Sequence, residues 1–573
     1  MKSLLTALLL LPVINFGQAK YNTYFEKGNG NQSATYAETI RYFKLLDTDF
    51  ESIEMREMGT TDSGEPLHIV TFNPAQQFDF AKLSDKVVLL INNGIHAGEP
   101  DGIDATMMLF RDLALGKINV PKNTVVVAIP VYNIGGALNR NSTSRVNQEG
   151  PEEYGFRGNA RNFDLNRDFI KADTRNTRSF ATIFHLTKPD VFIDNHVSNG
   201  ADYQYTLTYI MTQPDKLGQP LGEYFRDEMV PELLASLKQQ KIETTPYVNA
   251  WETTPDKGFV QFFESPRFAT GYTSLFNTLG FVVETHMLKK YADRVKANYA
   301  FIQQTIDYTD KHFAAIKAKR IENEKQYTTG KNYPVRWAID SSKVSQLSFL
   351  GYEGSYKKSE ATTGNRLFYD RSKPYKRDIR YLDHYKPVKE VVIPQAYVVP
   401  QGFWPVIDLL QSNKIEFRQI QNDTVIAVES YRIADYKTSQ NAYEGHYPHR
   451  DTQVIASQMK ANFRKGDYLF STNQKGVKYL LETLEPEAVD SFFNWNFFDT
   501  MLQQKEGYSD YVFEDLAAQL LKSDAKLKSD LELKKKTDAK FAADAKAQLD
   551  WIYKHSRYYE KAHLQYPVYR ILN

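Results

Sequence analysis

The stretch VVLLINNGIHAGEPDGIDATMMLF (residues 87–110) holds two apolar runs separated by a turn rich in glycine. The first run, 87–93, is rich in Val and Leu and lacks polar alternation, which is typical of a strand buried on both faces of a sheet. The second run continues as a pattern with apolar residues three or four positions apart over 101–115, which predicts an amphipathic helix. A strand that leads through a short turn into a helix is the building unit of α/β proteins.

The same alternation continues on both sides of this stretch. Further strand-like runs are PLHIVTFN (66–73), VVVAIPVYN (125–133), DVFIDNH (190–196) and GFVVETH (280–286), and further helical patterns cover 173–187, 219–240 and 288–318. The prediction is an α/β domain over residues 20–325, with a mixed β-sheet flanked by helices. The sequence pattern changes near 325–335, which predicts a C-terminal α+β/helical accessory region. Within it we expect an accessory α/β module over 330–480 and an aromatic-rich, charged helical region over 481–573.

Composition limits the function before any motif is considered. The 573 residues carry 71 basic and 70 acidic side chains, and this balance gives no indication of nucleic-acid binding. Residues 1–19 have the short basic start, apolar centre and small residues before a cut that are typical of a bacterial signal peptide, so we expect a secreted or periplasmic protein with no membrane span. The chain has no cysteine, which excludes a lipoprotein anchor and disulfides and leaves His, Asp and Glu as possible metal ligands.

Titratable residues follow or end three of the predicted strands. His96 and Glu99 lie in the turn after 87–93, His196 ends DVFIDNH, and Glu284 lies near the end of GFVVETH. Sites in open α/β sheets form beyond the carboxyl ends of the strands, so we expect these residues to meet. Two histidines and one glutamate are a ligand set of catalytic zinc, with a further carboxylate available to accept a proton from water. Taken alone, HAGE (96–99) is as consistent with a polar turn as with a ligand pair.

A second cluster lies in two loops between these strands. FDLNRDF (163–169) sets Asn166 beside Arg167, and NRNSTSR (139–145) supplies Arg140 and Arg145. An arginine next to an amide is well suited to bind a carboxylate. The alternative is that these arginines lie in solvent.

In order and approximate spacing, these residues resemble the M14 zinc carboxypeptidases, the carboxypeptidase A-like or funnelin enzymes. The resemblance covers roughly residues 35–315, and no recognised motif covers 330–573. It implies one zinc ion per chain, and it implies a role for each of the following residues. His96, Glu99 and His196 bind the zinc; Glu284 is the general base and then the acid; Asn166 and Arg167 hold the free C-terminal carboxylate of a peptide; Arg145, with Arg140 as the rival, faces the oxyanion; Asp164 supports a zinc histidine.

Two positions depart from the family pattern. The family's mobile tyrosine lies about twenty residues before the catalytic glutamate, where this chain has Phe262 and Phe263, so Tyr272 is the candidate. The residue at the base of the specificity pocket is expected near 265–272, where Arg267 lies. Arg267 either selects acidic side chains or forms an ion pair with Glu264.

The predicted function is removal of C-terminal residues from peptides, with a peptide that has a free C-terminus as the partner. One alternative is the same chemistry on peptidoglycan stems or isopeptide amides. A metal-free binding protein is disfavoured because the candidate metal ligands, the candidate base Glu284 and the candidate carboxylate clamp of Asn166 and Arg167 are all present. A second metal at His446 and His449, with Glu444, is likewise disfavoured against solvated loop histidines.

Overall fold

A computed structural model describes residues 19–572. The predicted signal peptide, 1–19, therefore lies outside the described residues except for its last position. Among the described helices, none is both long and apolar enough to cross a membrane.

The N-terminal half of the chain forms a mixed eight-stranded sheet. The strands in this half are β1 (Ile53–Thr60), β2 (Pro66–Phe72), β3 (Val87–Asn92), β4 (Thr124–Ile129), β5 (Val191–Ser198), β6 (Leu207–Met211), β7 (Thr244–Pro246), β8 (Phe259–Val260) and β9 (Leu279–His286). The sheet order is β1-β2-β4-β3-β5-β9-β6-β7, and β8 belongs to a different sheet. The pairs β3–β4, β3–β5, β5–β9 and β6–β7 are parallel, whereas β1–β2, β2–β4 and β6–β9 are antiparallel. The predicted mixed sheet flanked by helices is confirmed.

Helices flank this sheet. They are α1 (Tyr24–Lys27), α2 (Tyr36–Asp49), α3 (Asp101–Ala114), α4 (Ile134–Leu138), α5 (Arg175–Thr187), α6 (Pro214–Leu217), α7 (Gln219–Tyr224), α8 (Val230–Gln239), α9 (Ala269–Thr273), α10 (Tyr291–Lys311) and α11 (Phe313–Glu324). The predicted helix over 219–240 is two helices joined by a π-helical turn, Phe225–Met229. The predicted helix over 288–318 is also interrupted, at His312 between α10 and α11.

Three parallel neighbours at the centre of the sheet, β3, β5 and β9, position the candidate site. Every residue of β3 and of β5 is buried, including the polar Asp194, Asn195 and His196 of β5. Asn92 of β3 pairs with Asp194 of β5, and His196 of β5 pairs with Glu284 of β9. Parallel pairing therefore brings the carboxyl ends of the three strands to one edge of the sheet.

The C-terminal half adds three smaller sheets. Its strands are β10 (Asn332–Ile339), β11 (Ser345–Lys358), β12 (Asn365–Leu382), β13 (Tyr385–Val392), β14 (Ala396–Val399), β15 (Arg418–Gln419), β16 (Thr424–Thr438), β17 (His449–Phe463), β18 (Tyr468–Ser471) and β19 (Gln565–Ile571). Its helices are α12 (Trp404–Ser412), α13 (Val477–Leu484), α14 (Asp510–Ser523), α15 (Ala525–Thr537), α16 (Ala539–Ala542) and α17 (Ala545–Lys554). The three sheets are β10-β13, β11-β12-β8 and β15-β18-β14-β19-β16-β17.

Three of these pairings connect distant parts of the sequence. β12 of the C-terminal half pairs with β8, and the last strand, β19, pairs with β14 and β16. The predicted regions 330–480 and 481–573 thus share one sheet, and the division of the chain into domains stays a prediction. Helices α14 to α17 bury a small apolar cluster of their own, which includes Phe513, Leu531 and Leu549.

Candidate metal centre and active site

The turn between β3 and α3 presents His96 and Glu99 on one side. The backbone N–H of Glu99 donates to the carbonyl of His96 at 2.9 Å, which closes the turn and brings side chains three residues apart together. Gly94 has φ +64°, a conformation that favours glycine, and Pro100 immediately precedes the first helical residue. HAGE is therefore a turn in which the side chains of His96 and Glu99 face each other.

His96, Glu99 and His196 form a buried cluster. One ligand atom from each lies within 4.8 Å of the others, and all three side chains are no more than 4% exposed. Glu99 Oε1 lies 3.1 Å from His96 Nδ1, and Glu99 Oε2 lies 3.1 Å from His196 Nδ1. Burial alone would raise the pKa of Glu99, but His96 and Arg145 hold it well below its usual range. The carboxylate is therefore ionised and can bind a cation.

Each histidine of this cluster has its other ring nitrogen on a carboxylate. Asp164 Oδ1 lies 3.1 Å from His96 Nε2, and Asp194 Oδ2 lies 3.0 Å from His196 Nε2. With a metal bound, a carboxylate on Nε2 would hold the proton there and leave the lone pair of Nδ1 free to bind the ion. Asp164 was expected from the sequence. Asp194 was missed, although it lies two residues before His196 in β5 and so shares its face of the strand.

Two imidazoles and one carboxylate, with their outer partners in place, fit a zinc ion. This donor set binds zinc through three protein atoms and leaves further coordination positions open. The three side chains line a cavity of about 350 Å³, so an open position has space for water or a substrate. Among residues 19–572, no other group of three such side chains meets the same distance limit.

Glu284 lies on β9 beside this cluster and lines the same cavity. Among the described residues, none hydrogen-bonds to its carboxylate, whereas its main-chain carbonyl accepts from Thr208 at 3.0 Å. Burial, together with the charges of Glu99 and Glu264 and against the opposing effect of His196, raises the pKa of Glu284 to about 8. A carboxylate in this setting is not a ligand of the cluster but can exchange a proton at near-neutral pH.

Asn166 and Arg167 line the same cavity. They lie in a single 3-10 turn, Leu165–Arg167, and Asp164 caps this turn by accepting from the N–H of Asn166 at 3.0 Å. Asn166 Oδ1 accepts from the N–H of Ala269 at 3.1 Å, which orients the amide so that its NH₂ remains available. The Arg167 guanidinium lies 4.3 Å from the centre of the Phe268 ring, which fixes its position. The pair can therefore bind a carboxylate inside the cavity.

The structure gives Arg140, Arg145 and a third arginine, Arg157, different positions relative to the cluster. Arg140 donates to the carbonyls of Ala34 and Glu153 and does not line the cavity, because its loop directs it toward the N-terminal segment. Arg145 Nη2 lies 2.9 Å from Glu99 Oε1, on the side of an adjacent cavity. Arg157, which sequence reasoning missed, lines the main cavity with its Nη1 3.3 Å from His96 Nδ1.

Arg157 is held in this position by Asp164. Its Nη2 and Nε donate to Asp164 Oδ2 at 2.7 and 3.1 Å, and the same aspartate holds His96 through its other oxygen. The signal available in the sequence was proximity, because Arg157 lies in the loop that leads directly to Asn166 and Arg167.

Two further predictions are wrong. Tyr272 is 1% exposed within an aromatic core and donates its hydroxyl to Asn413 Oδ1 at 2.6 Å, so it cannot reach a substrate. Arg267 neither lines the cavity nor pairs with Glu264. It binds the buried Asp490 through Nη2 at 2.6 Å and stacks on Trp495. The side chains that do line the cavity near these positions are Tyr247, Phe262, Glu264 and Phe268.

A loop from the C-terminal half contacts the loop that carries Asn166 and Arg167. Glu444 Oε2 accepts from the N–H of Asp164 at 2.9 Å, and His446 Nε2 lies 2.8 Å from Asp173 Oδ2. His449 is buried against Asp499 at 2.9 Å. These histidines pair with separate carboxylates rather than with each other, and His449 is buried rather than solvated.

Comparisons with known proteins find similarity to zinc carboxypeptidases. Residues 39–190 match the zinc carboxypeptidase family, peptidase M14. Carboxypeptidase 2 of Trichophyton rubrum is 22% identical over 435 residues, which cover 71% of this chain and 73% of that protein, and carboxypeptidase 2 of Trichophyton tonsurans is 23% identical over the same lengths.

Solved structures with a similar arrangement include a metallo-carboxypeptidase from Burkholderia cenocepacia, at 14% identity and a TM-score of 0.36, which covers 49% of this chain and 70% of that one. Carboxypeptidase A from Helicoverpa armigera gives 13% identity and a TM-score of 0.35, and covers 51% of this chain and 74% of that one.

Proposed function

We propose, from the premise that this chain belongs to the M14 family of zinc carboxypeptidases, that it hydrolyses the last peptide bond of peptides with a free C-terminus. The observation that carries this proposal is one cavity with three groups on its walls. These are the His96–Glu99–His196 cluster, the unpaired carboxylate of Glu284, and the clamp of Asn166 and Arg167.

The zinc would be held by His96 and His196 through Nδ1 and by Glu99 through its carboxylate. When bound, the ion supplies Lewis-acid activation of a water molecule and of the peptide carbonyl. Asp164 and Asp194 lie on the Nε2 atoms, so they would orient both rings with Nδ1 toward the ion.

Glu284 is the proposed proton carrier. Its carboxylate takes a proton from water as the water oxygen bonds to the carbonyl carbon of the last peptide bond, and it then gives that proton to the nitrogen as the C–N bond breaks. The products are a shortened peptide and a free amino acid. The guanidinium of Arg157, fixed by Asp164, stabilises the negative charge that develops on the carbonyl oxygen.

Asn166 and Arg167 would determine which bond reacts. The amide NH₂ and the guanidinium bind the terminal carboxylate, and the rigid turn that holds them sets the distance from this carboxylate to Glu284. Only the last peptide bond then reaches the base in a reactive geometry, which is a positioning effect. The same clamp predicts that peptides amidated at the C-terminus are poor substrates.

We also propose that the enzyme acts outside the cytoplasm. The support is the composition of residues 1–19, which have a basic start, an apolar centre and small residues before the cut.

The direct test is mass spectrometry of a mixed peptide pool incubated with the protein. We expect ladders that shorten from the C-terminus, stop when a zinc chelator is added, and are absent from amidated copies of the same peptides. Cleavage within peptides, or equal cleavage of free and amidated peptides, would contradict the clamp. Cleavage confined to muropeptides would instead favour an amidase that acts on peptidoglycan stems.

Glu284→Gln tests the proposed base. We expect this variant to bind zinc as the wild type does and to lose about 10²–10⁴-fold in kcat, because the amide cannot accept the proton. Near-normal turnover in a zinc-loaded Glu284→Gln preparation would exclude Glu284 as the proton carrier.

A further inference from the structure

We propose that Asp490, a residue of the C-terminal half, is a positioning residue for the carboxylate clamp of Asn166 and Arg167, and that it acts through Arg267. The proposal rests on the proposed function, because it concerns how the clamp holds the terminal carboxylate of a peptide. It gives the C-terminal half a part in the reaction, although that half carries no recognised motif.

Asp490 binds Arg267 at both its backbone and its side chain. Asp490 Oδ2 accepts from the backbone N–H of Arg267 at 2.9 Å, while Oδ1 accepts from Nε at 2.8 Å and lies 2.6 Å from Nη2. Asp490 is fully buried, and burial raises the pKa of its carboxyl, but Arg267 outweighs this effect and lowers that pKa below its usual value. The carboxylate is therefore ionised, and charge-assisted hydrogen bonds of this kind are strong. One carboxylate thus fixes the main chain and the guanidinium of Arg267 together.

The two residues that follow Arg267 are the ones that support the clamp. The ring centre of Phe268 lies 4.3 Å from the Arg167 guanidinium, and the N–H of Ala269 donates to Asn166 Oδ1 at 3.1 Å. Consecutive Cα atoms are only about 3.8 Å apart, so a shift of Arg267 would be passed to both members of the clamp.

The loop 163–169, which carries the clamp, is also held at two other points. The carbonyl of Arg267 accepts from the N–H of Phe169 at 3.3 Å, on the C-terminal side of the clamp. On the N-terminal side, Glu444 Oε2 accepts from the N–H of Asp164 at 2.9 Å. Contacts that originate in the C-terminal half therefore reach the clamp loop from both sides.

The segment that carries Asp490 provides a fixed acceptor for Arg267. Asn494 Nδ2 donates to the carbonyl of Ala488 at 2.7 Å, which closes a turn around Asp490. Trp495 is 1% exposed, and its ring centre lies 4.9 Å from the guanidinium of Arg267. The ion pair and this cation–π contact together hold Arg267 in place.

The first test is Asp490→Asn in the full chain, with steady-state hydrolysis of peptides that have a free C-terminus. A misplacement of about 1 Å in a positioning group can cost about 10²-fold, so we expect KM to rise about 10–100-fold and kcat to stay within about threefold of the wild type. Zinc content should not change, because Asp490 binds neither a candidate ligand nor its outer carboxylate partner.

The matched control is Glu485→Gln, which alters another buried carboxylate of the C-terminal half. Glu485 Oε1 lies 3.0 Å from Arg570 Nε, and Glu485 is 1% exposed. Among residues 19–572, its hydrogen bonds and ion pairs reach neither the loop 163–169 nor the segment 264–270. This control should lose stability as Asp490→Asn does but keep the KM of the wild type. An equal rise in KM in both variants would overturn the positioning role.

A double-mutant cycle with Arg167→Ala separates positioning of the clamp from a general loss of stability. Residues that act through one another are not additive, so adding Asp490→Asn to Arg167→Ala should raise KM further by no more than about threefold. If the two rises in KM multiply instead, Asp490 does not act through the clamp.

A second variant keeps the proposal testable if Asp490→Asn does not fold. Asp490→Leu combined with Arg267→Met replaces the buried ion pair by apolar groups, which is often neutral or favourable for stability. This double variant should show the same rise in KM. A wild-type KM in it overturns the role of Asp490 and leaves the carboxypeptidase activity intact. If the wild type hydrolyses no peptide with a free C-terminus, the proposed function itself fails.

Discussion

The buried pair of Asp194 and His196 offers a quantitative test of the metal centre. Asp194 is fully buried, and two groups point at its oxygens. Asn92 Nδ2 donates to Oδ1 at 3.0 Å and His196 Nε2 lies 3.0 Å from Oδ2. In Asp194→Asn the shape is kept, but the amide has one oxygen for two donors. One of its sides must therefore present an NH₂ to His196 or to Asn92.

The loss of zinc affinity in Asp194→Asn depends on whether the NH₂ or the oxygen of the new amide faces His196. If NH₂ faces His196, the ring proton moves to Nδ1, the atom that faces Glu99, and must be displaced before a metal binds. If the oxygen faces His196, the ring keeps its tautomer but loses a charge-assisted hydrogen bond, which contributes about 1.5–3 kcal/mol. Either arrangement predicts a loss of about 10–100-fold in zinc affinity, which equals about 1.4–2.7 kcal/mol.

The assay is competition for zinc between the apoprotein and a chromogenic chelator at fixed pH, with folding checked by circular dichroism. The matched control is Asp202→Asn, which alters a similar buried pair, Asp202 Oδ1 with His286 Nε2 at 3.3 Å, away from the ligand cluster. The control should stay within about twofold of the wild type, on the principle that outer partners of ligands tune the metal. If Asp194→Asn binds zinc as tightly as the control, the assignment of His196 as a ligand through Nδ1 is refuted.

Three further substitutions are expected to separate distinct roles. Arg157→Gln should lower kcat about 10²–10³-fold with little change in KM, because the lost charge acts on the developing oxyanion; a change in KM alone would contradict this. Arg167→Ala should raise KM and abolish the discrimination between free and amidated peptides, so discrimination that persists would exclude the clamp. Lys478 is buried, and burial lowers its pKa from 10.5 to about 7. Between these values the unfolded chain binds more protons, so the stability of the wild type should rise with pH by up to about 1.4 kcal/mol per unit. Lys478→Met should not show this rise in stability. Urea unfolding at pH 7.5 and 9.5 should therefore show that the difference in unfolding free energy between Lys478→Met and the wild type falls by up to about 2.7 kcal/mol. A difference independent of pH would show that Lys478 is charged when folded.

The local pattern of the sequence was sufficient for five strands of the eight-stranded sheet, β2, β3, β4, β5 and β9, and for the residues at its edge. Uninterrupted apolar runs predict the buried strands β3 and β5, and the edge rule for parallel sheets predicts that residues beyond them meet. The cluster of His96, Glu99 and His196, with Glu284 beside it, lies where that rule predicts. Their roles in catalysis stay predictions.

The sequence did not predict the positions of side chains in long loops, because these are set by tertiary contacts. Arg140, Arg145 and Arg157 are similar in the sequence, since all three lie in one long connection before Asn166, and nothing in their spacing states which one lies over the cluster. Asp164 decides this by binding Arg157 and His96 with its two oxygens. Tyr272 and Arg267 were misassigned because their partners, Asn413 and Asp490, come from the C-terminal half.

The sequence by itself determined the elements whose signal is periodic and local, namely the strands, the main helices and the turn that pairs His96 with Glu99. These follow from backbone preferences and apolar spacing, which act over a few residues. Only the tertiary structure decided the charges around the cavity, because a charge is defined by its nearest neighbours and these lie far away along the chain. It removed Arg267 from the cavity by pairing it with Asp490, and it placed Glu264 in the cavity wall.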